Sequence, residues 1–324
     1  MSDTPAIMKV SAIIPTFNRP AALRRTLSTV FKLNPLPYEL FIIDQSEDVD
    51  EELPAFLQQA PPQLTVHYLR RQPDAQAARN EAAVASVGDI LLFLDDDILL
   101  EEDLVAAHLR NYAESDIGAV GGFFLEPGEQ GTDELPPQYY RKHTGWIHFP
   151  HCHLRRMDTG LFPSGNGSIR REILFRAGGF DQNYIRTLLD DTDLSARLRA
   201  MGVRVVHDPE ARALHLKEPA GGRRPKGINT FVIADSAAWQ VWWYFFWMNF
   251  GWRGWREILV RFRRSVVRRV NLLRPWYFAL AFFHFARGAV RAAVAIRAGR
   301  VLPLSVPRNV VPQAAQTTEI KCAS

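Results

Sequence analysis

The first half of the chain alternates short apolar runs with longer stretches in which apolar residues recur every three or four positions. Short apolar runs bounded by turn residues predict buried strands, and the longer spacing predicts helices that pack on them. The predicted strands are residues 10–15, 39–44, 64–69 and 89–94, and the predicted helices are residues 21–33 and 76–87. Strands that alternate with helices predict an α/β fold with a mostly parallel central sheet flanked by helices.

The pattern changes in the middle of the chain. Residues 126–160 have no clear period, which predicts a long excursion from the sheet. Periodicity then returns, and it predicts helices at 171–177 and 193–201 and strands at 203–206 and 211–216. We therefore expect one large domain over residues 1–218.

A different composition begins after the turn-rich residues 219–227, which we interpret as a linker. Residues 228–305 predict a basic, aromatic-rich helical region, and residues 306–324 predict a flexible tail. The apolar segment 237–250 is too short to cross a bilayer, and the segment 276–296 is interrupted by charged residues. Mixed basic and aromatic residues are instead typical of helices that lie on a membrane surface.

Charge divides the chain in the same way. The 324 residues carry a formal net charge of +4, yet residues 228–324 contain fourteen Arg and Lys residues and three Asp and Glu residues. The first part is therefore acidic, whereas the last part fits an anionic surface such as phospholipid or nucleic acid. Two cysteines exclude a disulfide framework, and the first residues have no secretory pattern, so we expect a cytoplasmic protein.

Acidic residues follow two of the predicted strands. Asp95, Asp96 and Asp97 come directly after an apolar strand, where their mutual repulsion favours a bound divalent cation. The alternative is an exposed acidic turn that begins the next helix. Asp44 ends the second strand and could accept hydrogen bonds from a base or a ribose, or could be a turn residue. Arg79 could contact a nucleotide, pair with the acidic run, or lie on an exposed helical surface.

A second acidic run, residues 190–193, precedes a predicted helix. One such residue would suffice as a helix cap, so a surplus carboxylate is a candidate general base. His215 ends a later strand and could supply a nitrogen ligand to a metal, or could be structural. The glycine-rich residues 165–168 permit a close approach of the backbone to a ligand.

In this order, these segments resemble glycosyltransferase family 2, and in particular its rhamnosyltransferase-like bacterial members. The matching motifs are VSAIIPTFNRP, LFIIDQSED, QAARNEAA, LLFLDDDILL, SGNGSIRREIL followed by GGFD, and LLDDTDLSARLRAMG. They cover about residues 9–217. The resemblance implies a GT-A fold with a Rossmann-like nucleotide-binding half.

The resemblance also implies roles for individual residues. Those assigned to the nucleotide-sugar donor are Pro15, Thr16, Phe17, Asp44, Arg79, Asp95 and Asp96. Asp95 and Asp97 would be the ends of the DxD motif and would bind Mn²⁺ or Mg²⁺ together with His215. Asp191 would be the catalytic base, and Asn166 and Asp190 would bind the acceptor. The implied reaction is a single displacement that inverts the anomeric configuration.

Other functions and partners remain open at this point. A metal-dependent phosphatase would require a different residue two positions after Asp97, and a nucleotidyltransferase would require a glycine-rich first loop. A nucleic-acid-binding protein would leave the acidic residues without a role. The expected partners are a UDP- or dTDP-sugar, a glycan or lipid-linked acceptor, and an anionic membrane surface. The expected location is peripheral, at the inner face of the cell membrane. The helices could also form an oligomer interface or cover the acceptor.

Overall fold

A computed structural model of the protein describes residues 8–133, 151–185, 188–218, 235–266, 275–305 and 317–319. Its first half is a parallel sheet with helices on both faces. The strands and helices are β1 (Val10–Thr16), α1 (Pro20–Val30), β2 (Glu39–Asp44), α2 (Leu53–Leu57), β3 (Thr65–Arg70), α3 (Ala75–Ala85) and β4 (Ile90–Leu94). The four strands are parallel and lie in the order β3-β2-β1-β4.

Strand β4 shows why the apolar runs form the centre of the molecule. All five of its residues are buried. Ile90, Leu92 and Leu94 pack into the core on one face of the sheet, whereas Leu91 and Phe93 pack into the core on the other face. Successive side chains of a strand point to opposite faces, so a continuous apolar run fits a strand that is covered on both sides.

The second half extends the sheet and makes it mixed. Its elements are β5 (Ile98–Leu100), α4 (Leu104–Asn111), β6 (Ile117–Leu125), β7 (Met157–Thr159), β8 (Asn166–Arg170), α5 (Arg171–Arg176), α6 (Asp190–Ala200) and β9 (Arg204–His215). Strand β8 is antiparallel to both β4 and β6, whereas β9 is parallel to β6 and antiparallel to β5. The predicted mostly parallel sheet with flanking helices is confirmed.

Two predicted strands, 203–206 and 211–216, are one strand in the structure, β9. The register between β6 and β9 shifts after Gly122, which pairs with Asp208, to Phe123, which pairs with Arg212. The extra residues of β9 form an irregular bend that interrupts its apolar pattern. The middle of the predicted excursion, residues 134–150, lies outside the described residues, and its end contributes β7, which pairs with β9.

The C-terminal region is helical, as predicted, and it packs on the sheet domain. Its elements are α7 (Ser236–Phe250), a 3₁₀ turn (Gly251–Arg253), α8 (Gly254–Val266), α9 (Pro275–Ala298), a second 3₁₀ turn (Pro303–Ser305) and β10 (Thr317–Glu319). Tyr184 and Leu189, which lie shortly before α6, share an aromatic core with Trp239 and Tyr244 of α7. Leu304 packs into the core of the sheet domain.

The boundaries drawn from the sequence have different outcomes. The linker at 219–227 lies outside the described residues. Within the predicted tail, β10 pairs with β3 in an antiparallel register. Of the helices in the described part of the chain, Trp276–Ala298 has the length and apolar composition of a membrane span, with 22% of its most apolar window buried. By length and composition alone, the charged residues within 276–296 therefore do not exclude a membrane span there.

A buried polar network fixes α6 to the C-terminal region. The carboxylate of Asp193 has no exposed surface and accepts hydrogen bonds from Tyr184 Oη at 2.9 Å, Asn249 Nδ2 at 2.9 Å and Arg300 Nη1 at 2.5 Å. Arg197 Nε donates to its other oxygen at 2.9 Å. Burial opposes ionisation, but the charges of Arg197 and Arg300 outweigh it and lower the pKa of Asp193.

We expect Arg300→Met to lower the free energy of unfolding by about 3 kcal/mol, because removing one partner of a buried ion pair leaves the other charge poorly compensated. Urea denaturation of the variant and the unchanged protein measures the loss. The control is Arg297→Met, an exposed arginine near the end of α9, for which a change below about 0.5 kcal/mol is expected. Equal losses in both variants would show that the network does not stabilise the fold.

Candidate active site

The candidate residues gather where the parallel strands end. Thr16 ends β1, Asp44 ends β2, the acidic run begins directly after β4, and His215 ends β9. The carboxyl ends of parallel strands lie at one edge of a sheet, which is where ligands of such folds bind. Strand order therefore brings together residues that are up to two hundred positions apart.

A potential metal site lies at this edge. Ile98 pairs with His215 across β5 and β9, so the residue before Ile98, Asp97, meets the histidine ring. His215 Nε2 lies 3.2 Å from Asp97 Oδ1, and one ligand atom each from Asp95, Asp97 and His215 lie within 4.8 Å of one another. Two carboxylates and an imidazole suit a divalent metal ion such as Mn²⁺. The three predicted ligands therefore fit the ion that the sequence implied.

The middle carboxylate, Asp96, faces the protein rather than this cluster. Its Oδ2 accepts a hydrogen bond of 2.7 Å from Thr16 Oγ1. Burial raises its pKa to about 6, and the neighbouring Asp97 and Asp95 charges add to that shift, while Thr16 and Arg19 oppose it. The acidic run therefore carries more negative charge than its surroundings readily accommodate.

Arg19 is a residue of this site that the sequence did not indicate. Its Nη1 lies 2.8 Å from Asp97 Oδ2 and 3.2 Å from Asp96 Oδ1. It belongs to the loop between β1 and α1, which ends at the same sheet edge as β4. The motif VSAIIPTFNRP contains this arginine, but nothing in the motif indicated that the Arg19 side chain would point towards the acidic run.

The predicted nucleotide pocket contains a tightly bound carboxylate. Asp44 is buried and accepts hydrogen bonds from Tyr68 Oη at 2.6 Å and from the Ser46 amide at 2.8 Å. Pro15 and Phe17, also predicted for this pocket, are half-buried. The sequence did not indicate Tyr68 as a site residue. Tyr68 alternates with Val66 and Arg70 on β3, and residues at this spacing lie on one face of a strand.

Arg79 pairs with the second acidic run rather than with the first. Its Nη1 lies 3.0 Å from Asp190 Oδ2, and both side chains are almost fully buried. Its Nε and the Nε2 of Gln76, one turn earlier on α3, are buried without a hydrogen-bond partner in the described structure. Buried polar groups are normally paired, so this turn of α3, which follows the end of β3, can donate hydrogen bonds to a ligand. Contact of Arg79 with a nucleotide stays a prediction.

The second acidic run lies within the first turn of α6 and not before the helix as predicted, because α6 begins at Asp190 and not near Asp193. Leu189, with φ 65° and ψ 5°, turns the chain in the left-handed region immediately before the helix. The three carboxylates are thereby directed to different surroundings. Asp190 meets Arg79, Asp193 enters the C-terminal network, and Asp191 is half-buried, with Oδ1 accepting from the Thr192 amide at 2.7 Å.

The acceptor role predicted for Asn166 does not agree with the structure. The side chain is fully buried, and its amide donates to the carbonyls of Phe123 and Ala211 while Oδ1 lies 3.0 Å from His108 Nε2. Burial lowers the pKa of His108 to about 4, so its ring is neutral at pH 7. Asn166 therefore ties β8 to β6 and β9 and offers no exposed surface to an acceptor.

The glycine-rich segment has a defined purpose beside Asn166. A Cβ atom on Gly165 would lie 2.4 Å from Asp95 Oδ2, and the Asp95 amide donates to the Gly165 carbonyl at 2.9 Å. The close approach predicted from these glycines is therefore made to a metal-site carboxylate.

Comparisons with known proteins identify the family of this chain. The model of the family described as Glycosyl transferase family 2 matches residues 11–178, which is more than half of the chain. The O-antigen biosynthesis protein RfbC of Myxococcus xanthus is 28% identical over 248 residues, covering 72% of this chain. This chain spans 19% of that protein's length, and 26% of the uncharacterized protein y4gI of Sinorhizobium fredii, to which it is 27% identical over 241 residues.

Two solved structures show the same fold. The mannosyltransferase PcManGT from Pyrobaculum calidifontis, solved with GDP-Man and Mn²⁺, has a TM-score of 0.50 and 19% identity over 90% of this chain and 79% of its own. GalNAc-T7, solved with UDP, GalNAc and Mn²⁺, has a TM-score of 0.59 and 16% identity over 92% of this chain and 59% of its own. With this GT-A fold and a family match over more than half of its length, the chain belongs to glycosyltransferase family 2.

Proposed function

We propose that this protein is a glycosyltransferase that moves a sugar from a nucleoside-diphosphate sugar to an acceptor hydroxyl in one displacement that inverts the anomeric carbon. The observation that carries the proposal is the cluster of Asp95, Asp97 and His215 at the carboxyl edge of the sheet. Asp191, at the start of α6, provides a separate and partly exposed carboxylate. A metal site and a second carboxylate are the two parts that such a transfer requires.

Asp95, Asp97 and His215 would hold the metal, for which we propose Mn²⁺ or Mg²⁺. When bound, the ion neutralises charge that develops on the departing diphosphate. Two structural neighbours are described as complexes with Mn²⁺, which supports Mn²⁺ as the first ion to test. Gly165 supports the site by leaving room for the Asp95 carboxylate.

The donor base would lie between Asp44 and the start of α3. A carboxylate accepts a hydrogen bond from the imide N–H of uracil or thymine, and Tyr68 and Ser46 hold Asp44 in position for it. The buried Arg79 Nε and Gln76 Nε2 supply donors for ribose or base oxygens. We therefore propose a UDP- or dTDP-sugar, and GDP is the alternative because one neighbour was solved with GDP-Man.

Asp191 would act as the general base. The acceptor oxygen forms a bond to the anomeric carbon as the bond from that carbon to the diphosphate oxygen breaks, and the acceptor proton passes to the Asp191 carboxylate. Asp190, held by Arg79 at 3.0 Å, would position the acceptor side of the site. Because Asp193 is occupied by the C-terminal network, Asp191 is the member of the run best suited to this step.

Asp191→Asn should lower kcat by about 10²- to 10⁴-fold, because an amide cannot take the acceptor proton. Donor binding should change little, since the residue lies outside the proposed donor pocket. The measurements are transfer with radiolabelled sugar and a thermal shift with UDP-, dTDP- and GDP-sugars in the presence of Mn²⁺, since a ligand that binds the native state raises its stability.

The matched variant is Asp97→Ala, which removes a proposed metal ligand and should abolish the Mn²⁺-dependent part of the thermal shift. An Asp191→Asn enzyme with full activity would refute the base assignment. A metal-dependent shift that survives in Asp97→Ala would refute the metal assignment without affecting the family.

The acceptor is proposed to be a hydroxyl of a glycan or of a lipid-linked glycan. The name of the Myxococcus relative, O-antigen biosynthesis protein, supports a cell-surface glycan, although this chain corresponds to 19% of that protein. The surface of the C-terminal helices supports an acceptor that is presented at a membrane.

The outer surface of α8, of the 3₁₀ turn before it and of α9, which we call the aromatic face, is exposed and apolar. It consists of Trp252, Trp255, Leu259, Trp276, Phe282, Phe283, Val290 and Val294, and Trp252 and Trp276 are 75% and 62% exposed. Large exposed apolar patches mark interaction sites. Exposed arginines surround this face, namely Arg253, Arg256, Arg263, Arg264, Arg287, Arg291 and Arg297. Tryptophan together with arginine suits the headgroup level of an anionic bilayer.

We propose that the aromatic face lies in the membrane interface and that α9 does not cross the bilayer. The opposite side of α9, with Ala281, Phe285, Gly288 and Ala292, is buried against the aromatic core. A Cβ atom on Gly288 would lie 2.5 Å from Trp239 Cβ, so the two helices are in backbone contact there. Crossing the bilayer would require α9 to leave this packing.

Sedimentation with vesicles tests this surface. The protein should bind vesicles containing phosphatidylglycerol more tightly than vesicles of phosphatidylcholine alone, and salt should weaken the binding. Trp252→Gln with Trp255→Gln should reduce binding at least tenfold, because aromatic anchors are lost. The matched control is Val49→Gln with Val84→Gln, two exposed apolar residues of the sheet domain.

Equal losses in both double variants would contradict the proposal. Salt-dependent binding to RNA or DNA without vesicle binding would assign the arginines to nucleic acid instead.

A further inference from the structure

A guanidinium already neutralises part of the proposed metal site. Arg19 Nη1 lies 2.8 Å from Asp97 Oδ2, and the exposed fractions of the two side chains are 13% and 3%. The same nitrogen lies 3.2 Å from Asp96 Oδ1. Ion pairs that are shielded from water are much stronger than surface pairs. A fixed positive charge is therefore built into the acidic run.

The carboxylate of Asp97 is shared between two positive or potentially positive groups. Its Oδ1 faces His215, and its Oδ2 faces Arg19 and also accepts from the Glu218 amide at 3.2 Å. A divalent ion that binds Asp97 would lie close to the guanidinium of Arg19. Like charges at that separation repel, so the ion must displace Arg19 or be accompanied by an anion.

We infer that Arg19 makes metal binding depend on the nucleoside diphosphate. This inference rests on the proposed function, since it concerns the same metal and donor. Without the nucleotide, Arg19 competes with the metal for Asp97 and Asp96. When the diphosphate binds, its negative oxygens bind the metal and also accept hydrogen bonds from the guanidinium. Arg19 then no longer competes with the metal for the carboxylates.

The chemistry of arginine supports this exchange of partners. A guanidinium remains charged and presents a planar set of donors that matches two phosphate oxygens. Arg19 is part of the loop that follows β1, at the edge where the donor is proposed to bind. Thermodynamic reciprocity then requires that the metal also tighten nucleotide binding by the same factor.

The test measures Mn²⁺ binding by the amplitude of the free-ion signal in electron paramagnetic resonance, without nucleotide and with saturating UDP or GDP. In the unchanged protein, the nucleotide should tighten Mn²⁺ binding about tenfold or more. Arg19→Gln should bind Mn²⁺ alone about tenfold more tightly, since an opposite charge beside a carboxylate shifts its equilibria by at least that factor. The enhancement by nucleotide should then become smaller.

Two further variants separate charge from geometry. Arg19→Lys keeps the charge but not the planar donors, so Mn²⁺ alone should bind as in the unchanged protein while the nucleotide enhancement falls. The control is Arg25→Gln on the following helix α1. The Arg25 side chain pairs with Glu218 and is 52% exposed, and its replacement should leave Mn²⁺ binding unchanged. Melting temperatures confirm that each variant is folded.

The outcomes distinguish this inference from the proposed function. Failure of the unchanged protein to bind Mn²⁺ under either condition would refute the metal site itself. Equal Mn²⁺ affinity without nucleotide in the unchanged protein and Arg19→Gln would overturn the role of Arg19 and leave the metal site in place. An equal change in Arg25→Gln would show a general effect of net charge, and it would also overturn the inference.

Discussion

The concentration of negative charge at the end of a fully buried strand is the constraint on which the site depends. Strand β4 brings Asp95 to Asp97 to the sheet edge with apolar cores on both of its faces. Water cannot fully solvate carboxylates in that position, so the protein must compensate them with its own groups. Thr16, Arg19 and His215 come from three other segments for this purpose, and each arrives because its strand or loop ends at the same edge.

The same constraint operates at the start of α6 and is met differently. The first helical turn tolerates acidic residues because the helix dipole is positive there. Its three carboxylates are nevertheless divided among different partners: Asp190 meets Arg79 from α3, and Asp193 meets Arg300 from beyond α9. Asp191 is the member that keeps partial contact with solvent. This difference between the three carboxylates supports the proposal that Asp191, rather than Asp190 or Asp193, is the general base.

The sequence indicated the fold and the location of the site because both follow from local patterns. Apolar runs fixed the strands of the first half, and parallel strand ends brought Asp44, Asp97 and His215 to one edge. The start of α6 was placed three residues late, because nothing local predicted that Leu189, a non-glycine residue, adopts the left-handed conformation. Arg19 and Arg300 were missed, since each meets its carboxylate across 78 or 107 positions of the chain and no short motif encodes such a pairing.

The contacts between the start of α6 and the C-terminal helical region limit how this protein can be recombined with its relatives. Asp181, Tyr184, Leu189 and Asp193 share hydrogen bonds or packing with α7 and Arg300. A C-terminal region exchanged at the natural-looking boundary near 219–227 would bring its own aromatic residues and no matching partner for Asp193. Asp193 and Arg300 therefore have to be exchanged together if the buried network is to be kept, although 107 positions of the chain separate them.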